Sequence, residues 1–270
     1  MKRKGARSIS EIPNSVLKQL NAGDLETANL MEWLAIDQRL LLKNFLVQIG
    51  RKKYLESILS RIDKLPKQTV NTICQEIGTS FLRLSSELGD TEVLKILGNH
   101  KSDMIRSWAT YSISHNPNLK LTQKFQKMQV FAADAHFGVR EIAWLSLRSS
   151  VVQNLEESIF ILSKWTNHKD KNIRRFASEI TRPRGVWCEH ITVLKQNPEL
   201  GLPILEPLRS DSSKYVRDSV GNWLNDASKS RSEFVKKLSL RWRKESKTPE
   251  TEYILKKALR SLVKDSTQPI

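Results

Sequence analysis

The sequence predicts an all-α protein, an α-solenoid in which stacked two-helix repeats wind into a superhelix. Apolar residues recur at steps of three and four, which is helical spacing. Residues that break helices are few, with 10 glycines and 9 prolines in 270 positions, whereas an all-β or doubly wound fold needs many turns. Finally, an aliphatic-Arg pair returns at Ile105-Arg106, Val139-Arg140, Ile173-Arg174 and Val216-Arg217, at spacings of 34, 34 and 43 residues. Such a period is what helical hairpins produce, because one hairpin can bury its apolar face only against the next. An ordinary helical bundle with chance agreement among the spacings is the alternative.

Taken in order, residues 25–34 read as a helix opened by Asn21-Ala-Gly-Asp24, and residues 37–47 as a second periodic stretch. Residues 1–100 are expected to be N-terminal helices leading into the superhelix, and residues 101–270 the repeats, all as one continuous domain. Each aliphatic-Arg pair should open a helix whose inward stripe is Val139, Ile142, Ala143 and Leu147, then Ile173, Phe176, Ala177 and Ile180, then Val216, Ser219, Val220 and Trp223. Ser219 is the one polar member. The longest spacing holds Arg182-Pro-Arg-Gly185, which must break a helix, and Asn197-Pro198, which opens a further turn.

A second stripe on the same helices is polar: Glu141 and Arg148, then Arg175, Glu179 and Arg182, then Asp218, Asn222 and Asn225. Stacking would gather these on one face, and a concave solenoid face is where a long ligand binds. The chain holds 45 Lys and Arg against 29 Asp and Glu, a formal charge of +16, which favours a polyanionic partner. Arg174, Arg175, Arg182 and Arg184 fall within eleven residues beside one acid, Glu179. Guanidinium forks suit phosphate oxygens, so Arg140, Arg148, Arg175, Arg184 and Arg217, with Asn222, are candidate DNA contacts. An ordinary i,i+4 pair between Arg175 and Glu179 is the competing reading. Of seven tryptophans most should be core, with Trp144 and Trp187 the candidates for stacking on a sugar or base.

Cys74 and Cys188 stand far apart, and the five histidines have no ligand spacing, so no disulfide framework, metal or organic cofactor is expected. No run is long and apolar enough for a membrane span, and a cytoplasmic, nucleoid-associated monomer is expected. Phosphate-loop, zinc-protease and nucleophile-elbow motifs are missing from the sequence. Carboxylates remain as catalytic groups, chiefly Asp134 and Glu179. Beside a DNA backbone, a carboxylate can stabilise an oxocarbenium-like sugar while an N-glycosidic bond to a cationic base breaks. For Asp134 the competing reading is a helix-start cap, since Asp103, Asp170 and Asp211 occupy related places.

The run Asn172-Ile-Arg-Arg-Phe-Ala-Ser-Glu-Ile-Thr-Arg-Pro-Arg184, with Leu202-Pro-Ile-Leu-Glu-Pro-Leu208 and the stretch from Lys214 to Lys229, resembles bacterial DNA alkylation repair proteins of the AlkC type, in the wider AlkC and AlkD superfamily. Residues 20–24, 33–37 and 257–264 resemble that family's outer helices. The resemblance implies HEAT-like repeats that clasp double-stranded DNA and release 3-methyladenine or 7-methylguanine by hydrolysis. A non-catalytic binder of damaged or branched DNA is the alternative. Carried over by position, the AlkD-type aspartate falls on Asp134 and its arginine on Arg182. The AlkD-type tryptophan falls on Val130, leaving Trp144 or Trp187 to supply the aromatic wall, and a glutamate usual in the AlkC branch is replaced by His136. Asp134, Glu179 and Arg182 are thus the expected catalytic set, with Glu179 orienting Arg175 or Arg182.

Overall fold

The computed structural model describes residues 3–265, with side chains of the last helix described to residue 262. Among the described residues there are sixteen α-helices and no strand. In order they are α1 (Asn14–Ala22), α2 (Leu30–Ala35), α3 (Gln38–Gln48), α4 (Leu55–Asp63), α5 (Val70–Glu87), α6 (Glu92–Gly98), α7 (Asp103–Ser114) and α8 (Leu121–Ala132). There follow α9 (Phe137–Gln153), α10 (Leu155–Trp165), α11 (Lys171–Ile180), α12 (Thr192–Gln196), α13 (Leu202–Leu205), α14 (Lys214–Ser228), α15 (Ser232–Glu245) and α16 (Pro249–Asp265). The all-α, helical-repeat architecture is the one the periodicity predicts.

The chain divides into two compact units, one up to Ser146 and one from Leu147 onward, so the division falls inside α9. Residue 100 marks a different event, the start of the Arg-bearing helices, since α7 opens at Asp103. In the first unit α7 stacks on α5 and pairs with α8. Its centre is aromatic: Phe45, Phe81 and Trp108 lie with ring centroids 6.0 to 6.3 Å apart, and the Trp108 indole N–H donates to Gln38 Oε1 at 3.0 Å. In the second unit α14 packs between α11 and α16, and α15 closes against both α14 and α16. Trp223 and Trp242 are fully buried there. Truncating any one of these core rings to Ala would cost on the order of 3–5 kcal/mol.

Every residue of the three expected inward stripes is buried, Ser219 included. The longest repeat spacing has the expected cause: α11 ends at Ile180, an irregular loop runs to Ile191, and α12, a 3-10 turn over Pro198–Gly201 and α13 precede α14.

One boundary expected from sequence is corrected. Residues 21–24 end a helix rather than begin one, for Gly23 adopts φ 77° and caps α1 through Gln19 and Leu20 carbonyls. The next helix starts at Leu30, where Asn29 accepts the Glu32 N–H. Residues 24–29 stay out of helix because their polar groups have partners elsewhere: Thr27 donates from both N–H and hydroxyl to Asp103, and Glu26 pairs with Arg106. These tertiary bonds outcompete local propensity.

Candidate nucleic-acid interface

The four repeated arginines share one local construction. Six residues before each stands a side-chain acceptor, His100, Asp134, His168 or Asp211, that takes a backbone N–H two positions on, at 3.0, 2.7, 3.0 and 2.8 Å respectively. The arginine then reaches back, and its Nη1 donates to the carbonyls five and six residues earlier, as Arg106 does to His100 and Lys101 and Arg140 to Asp134 and Ala135. Arg174 and Arg217 repeat the pattern on His168 and Lys169, and on Asp211 and Ser212. The loop that opens each helix is therefore stapled to that helix.

Where the following repeat offers an aspartate, the same guanidinium also bridges forward. Arg106 donates to both oxygens of Asp134 at 2.8 and 3.0 Å, and Arg174 to both oxygens of Asp211 at 2.6 and 2.9 Å. Asp134 and Asp211 are thus equivalent by position and by bonding. Asp134, an expected catalytic carboxylate, thus forms a bidentate joint with Arg106 and caps a helix start, the bonding that the competing reading describes.

His136 is buried. Its Nδ1 accepts the Gly138 N–H at 3.1 Å and its Nε2 donates to the Thr27 carbonyl at 2.6 Å, which fixes the tautomer, while Asp103 Oδ2 lies 3.3 Å from Nδ1.

Between α11 and α14 lies a construction that is not repeated. Glu179 Oε1 accepts from Arg182 Nη1 at 2.8 Å, and Oε2 accepts from the Ser219 hydroxyl at 2.7 Å, with Arg175 at 3.4 Å. Arg182 Nε donates to Asp226 Oδ2 at 2.8 Å, and Ser178 donates its hydroxyl to Ser219 at 2.8 Å. Arg148, only 3% exposed, spends its guanidinium on the Ile180, Arg182 and Glu189 carbonyls at 2.7, 2.8 and 3.1 Å. Three guanidiniums thus face two carboxylates. Burial pulls the Glu179 carboxyl upward, but Arg175, Arg182 and the Ser219 hydroxyl more than reverse this and hold it below the usual range. For Asp226 burial prevails over Arg182 and the shift is upward.

The expected polar stripe is therefore corrected in one respect: Arg148, Arg175, Glu179 and Asn225 are buried, not displayed. Stacked repeats pack more than one face of each helix, so a face that is polar by sequence becomes a polar layer between helices. Asn225, for instance, donates to the Ala258 carbonyl and to Ser261.

What this layer holds in place is the loop after α11. The three carbonyls bound by Arg148 lie at both ends of the loop, and Ile191 N–H closes it onto the Pro183 carbonyl at 3.0 Å. Gly185 is needed there, because a Cβ would strike Cys188 Sγ. At the tip Trp187 has φ 62° and is 66% exposed, beside exposed Val186. Left-handed backbone at a bulky residue is strained, and a large indole in water forfeits its hydrophobic stabilisation.

The remaining candidates fall as follows. Trp144 is buried and donates its indole N–H to Glu141 at 2.8 Å. Arg175 lies over the Tyr215 ring, and Arg184, within the loop, donates to Ser230 at 2.7 Å. Arg217 lies over Tyr253, and Asn222 accepts from Arg260 at 3.0 Å. Sequence reasoning missed Asp226 and Arg106. Ser219 did carry a signal as the one hydroxyl in an apolar stripe, and Arg106 stood in the repeat.

Among the described residues no helix is long and apolar enough to cross a membrane, and no three His, Cys, Asp or Glu side chains are grouped so as to hold a metal ion.

Compared with known proteins, the class is clear from the fold: an all-α helical-repeat protein with an AlkC-like architecture. The structure matches that of Pseudomonas fluorescens alkylpurine DNA glycosylase AlkC bound to DNA containing an abasic site analog, with a TM-score of 0.67 and 22% identity, over 97% of this chain and 67% of that one. In sequence, the chain is 32% identical over 209 residues to the uncharacterized protein YhaZ of Bacillus subtilis (strain 168), a match covering 76% of this chain and 50% of that protein. The chain thus spans about half the length of the curated relative it matches. No family model matches it.

Proposed function

We propose that the chain is a DNA glycosylase that hydrolyses the N-glycosidic bond of cationic alkylated purines, such as 3-methyladenine and 7-methylguanine, in double-stranded DNA. The observation that carries this reading is the likeness to a DNA-bound alkylpurine glycosylase along 97% of the chain. The charge of +16 and the indole held in water at position 187 agree with a DNA partner.

The reaction needs little from the protein, because the leaving group is already cationic. As the bond from C1′ to the base nitrogen breaks, its electron pair neutralises the base, the sugar becomes oxocarbenium-like, water adds to C1′ and a proton passes to solvent. The protein's part is to place the backbone and to offer negative charge to the sugar. We assign the negative charge to Glu179 in preference to Asp134, acting through its field from a buried position and not by contact with the sugar. Glu179 is held ionised within the unrepeated network at the root of the Trp187 loop, whereas Asp134 repeats the bonding of Asp211. Arg182 positions Glu179 and, with Arg184 and Arg175, biases the region toward phosphate. Trp187 would press on the sugar or base edge.

One observation favours a second reading, a non-catalytic binder of damaged DNA: both oxygens of Glu179 and of Asp134 already accept charged or hydroxyl donors.

Free 3-methyladenine and 7-methylguanine released from methylated duplex DNA decide between them. Wild type is expected to release base, and Glu179→Gln to release at least about a hundredfold less with duplex binding retained. Tight binding without release by the wild type would establish the binder. Full release by Glu179→Gln, with none by Asp134→Asn, would return the catalytic role to Asp134.

A further inference from the structure

We propose that α14 and α16 form a second DNA contact, a lesion-independent anchor for the phosphodiester backbone centred on Lys256 and Arg260. This rests on the DNA partner proposed above and adds where, away from the Trp187 loop, the duplex is held.

Asn222 on α14 and Tyr253, Lys256, Lys257 and Arg260 on α16 line one open depression. The two helices approach closely because residue 221 is glycine, where a Cβ would lie 2.9 Å from Lys257 Cβ. Beside the depression, bonded to its Tyr253 and Lys257, lies the acid Asp218, and that acid is saturated. It accepts from Lys214 Nζ at 2.8 Å, Lys257 Nζ at 2.6 Å and the Tyr253 hydroxyl at 2.7 Å. Burial alone would raise its carboxyl, but these three donors carry it down to about 2, so it remains charged and occupied.

Counting Lys214, Arg217, Lys256, Lys257 and Arg260 against Asp218 leaves four positive charges on this surface. Among the described residues, exposed Lys256 makes no ion pair or hydrogen bond, and exposed Arg260 bonds only the Asn222 side-chain oxygen and the Lys257 carbonyl, which leaves most of its donors for a ligand. With Oδ1 turned to Arg260, the Asn222 amide N–H groups are also available. Four residues advance a helix by about 6 Å, so the two cations can reach separate phosphates of a strand whose charges advance by about 3.4 Å along the axis.

The chemistry selects the partner. Among the described residues, none of the exposed large apolar side chains lies on α14 or α16, so the described surface lacks the anchor that a protein groove or a bilayer would require. Cations with amide donors and no apolar centre match a phosphodiester, which they would hold without regard to sequence or damage.

The test is duplex affinity by fluorescence anisotropy, using end-labelled undamaged DNA across a salt series. Lys256→Gln/Arg260→Gln is expected to bind about tenfold more weakly at low salt and to lower the slope of log affinity against log salt by about 2. Lys236→Gln/Lys237→Gln, which removes the same charge from α15, is expected to retain most of the affinity. If the wild type binds but the α16 variant keeps its affinity and slope, the anchor is excluded and the repair reading stands. Equal losses in both variants would reduce the effect to net charge and overturn the anchor. A wild type that binds no duplex overturns both readings.

Discussion

The joint at Arg106 and the network around Glu179 use the same chemistry, guanidinium on carboxylate, to different ends. Arg106–Asp134 has a near copy at Arg174–Asp211, with the same atoms, the same bidentate form and the same carbonyl contacts behind it. The Glu179 network has no copy and sits where the repeat is interrupted by the longest loop. A bonding pattern that recurs serves what every repeat must do, which is to dock on the next. The Glu179 network instead lies next to Arg148, which ties down the loop that carries the strained, exposed Trp187.

The largest effect should come from Arg148. Replacing it with Met leaves the Ile180, Arg182 and Glu189 carbonyls without a donor in a buried setting, at a cost of about 3 kcal/mol or more. Denaturant unfolding would measure this, and a loss below about 1 kcal/mol would mean that the loop holds itself.

Asp134→Asn and Asp211→Asn sharpen the comparison directly. Each should cost about 1–2 kcal/mol by weakening one bidentate joint, and the two costs should agree closely. A silent Asp211→Asn beside a damaging Asp134→Asn would break the equivalence of the two joints.

The smallest effect concerns acid. Burial, helped by Lys101 and Arg106, lowers the His100 pKa to about 4. Below the unfolded value of about 6.5 the unfolded chain binds the proton first, so stability falls as pH drops from about 6.5 to about 4. His100→Asn, which keeps an acceptor for the Ser102 N–H, should flatten that part of the stability-pH curve.

Much of this was legible in sequence. Helical class, the repeat, the three inward stripes and the interruption after α11 follow from spacing and from proline and glycine, because burial of a helical face imposes a period on the chain. The short range of that signal also explains its failures. Residues 25–29 carry a helical pattern yet stay out of helix, because their bonds to Asp103 and Arg106 lie across a span of some eighty positions. For Asp134 the sequence shows an acid beside a basic helix, and only the structure adds that both its oxygens accept from Arg106. Arg148 and Glu179 read as a displayed surface because polarity gives no sign of which face the next repeat covers. The chain alone therefore determined the helical class, the repeat and which helix faces are apolar. The tertiary structure decided which charges satisfy one another and which remain for a ligand, since ion pairs form between residues that only folding brings within about 3 Å.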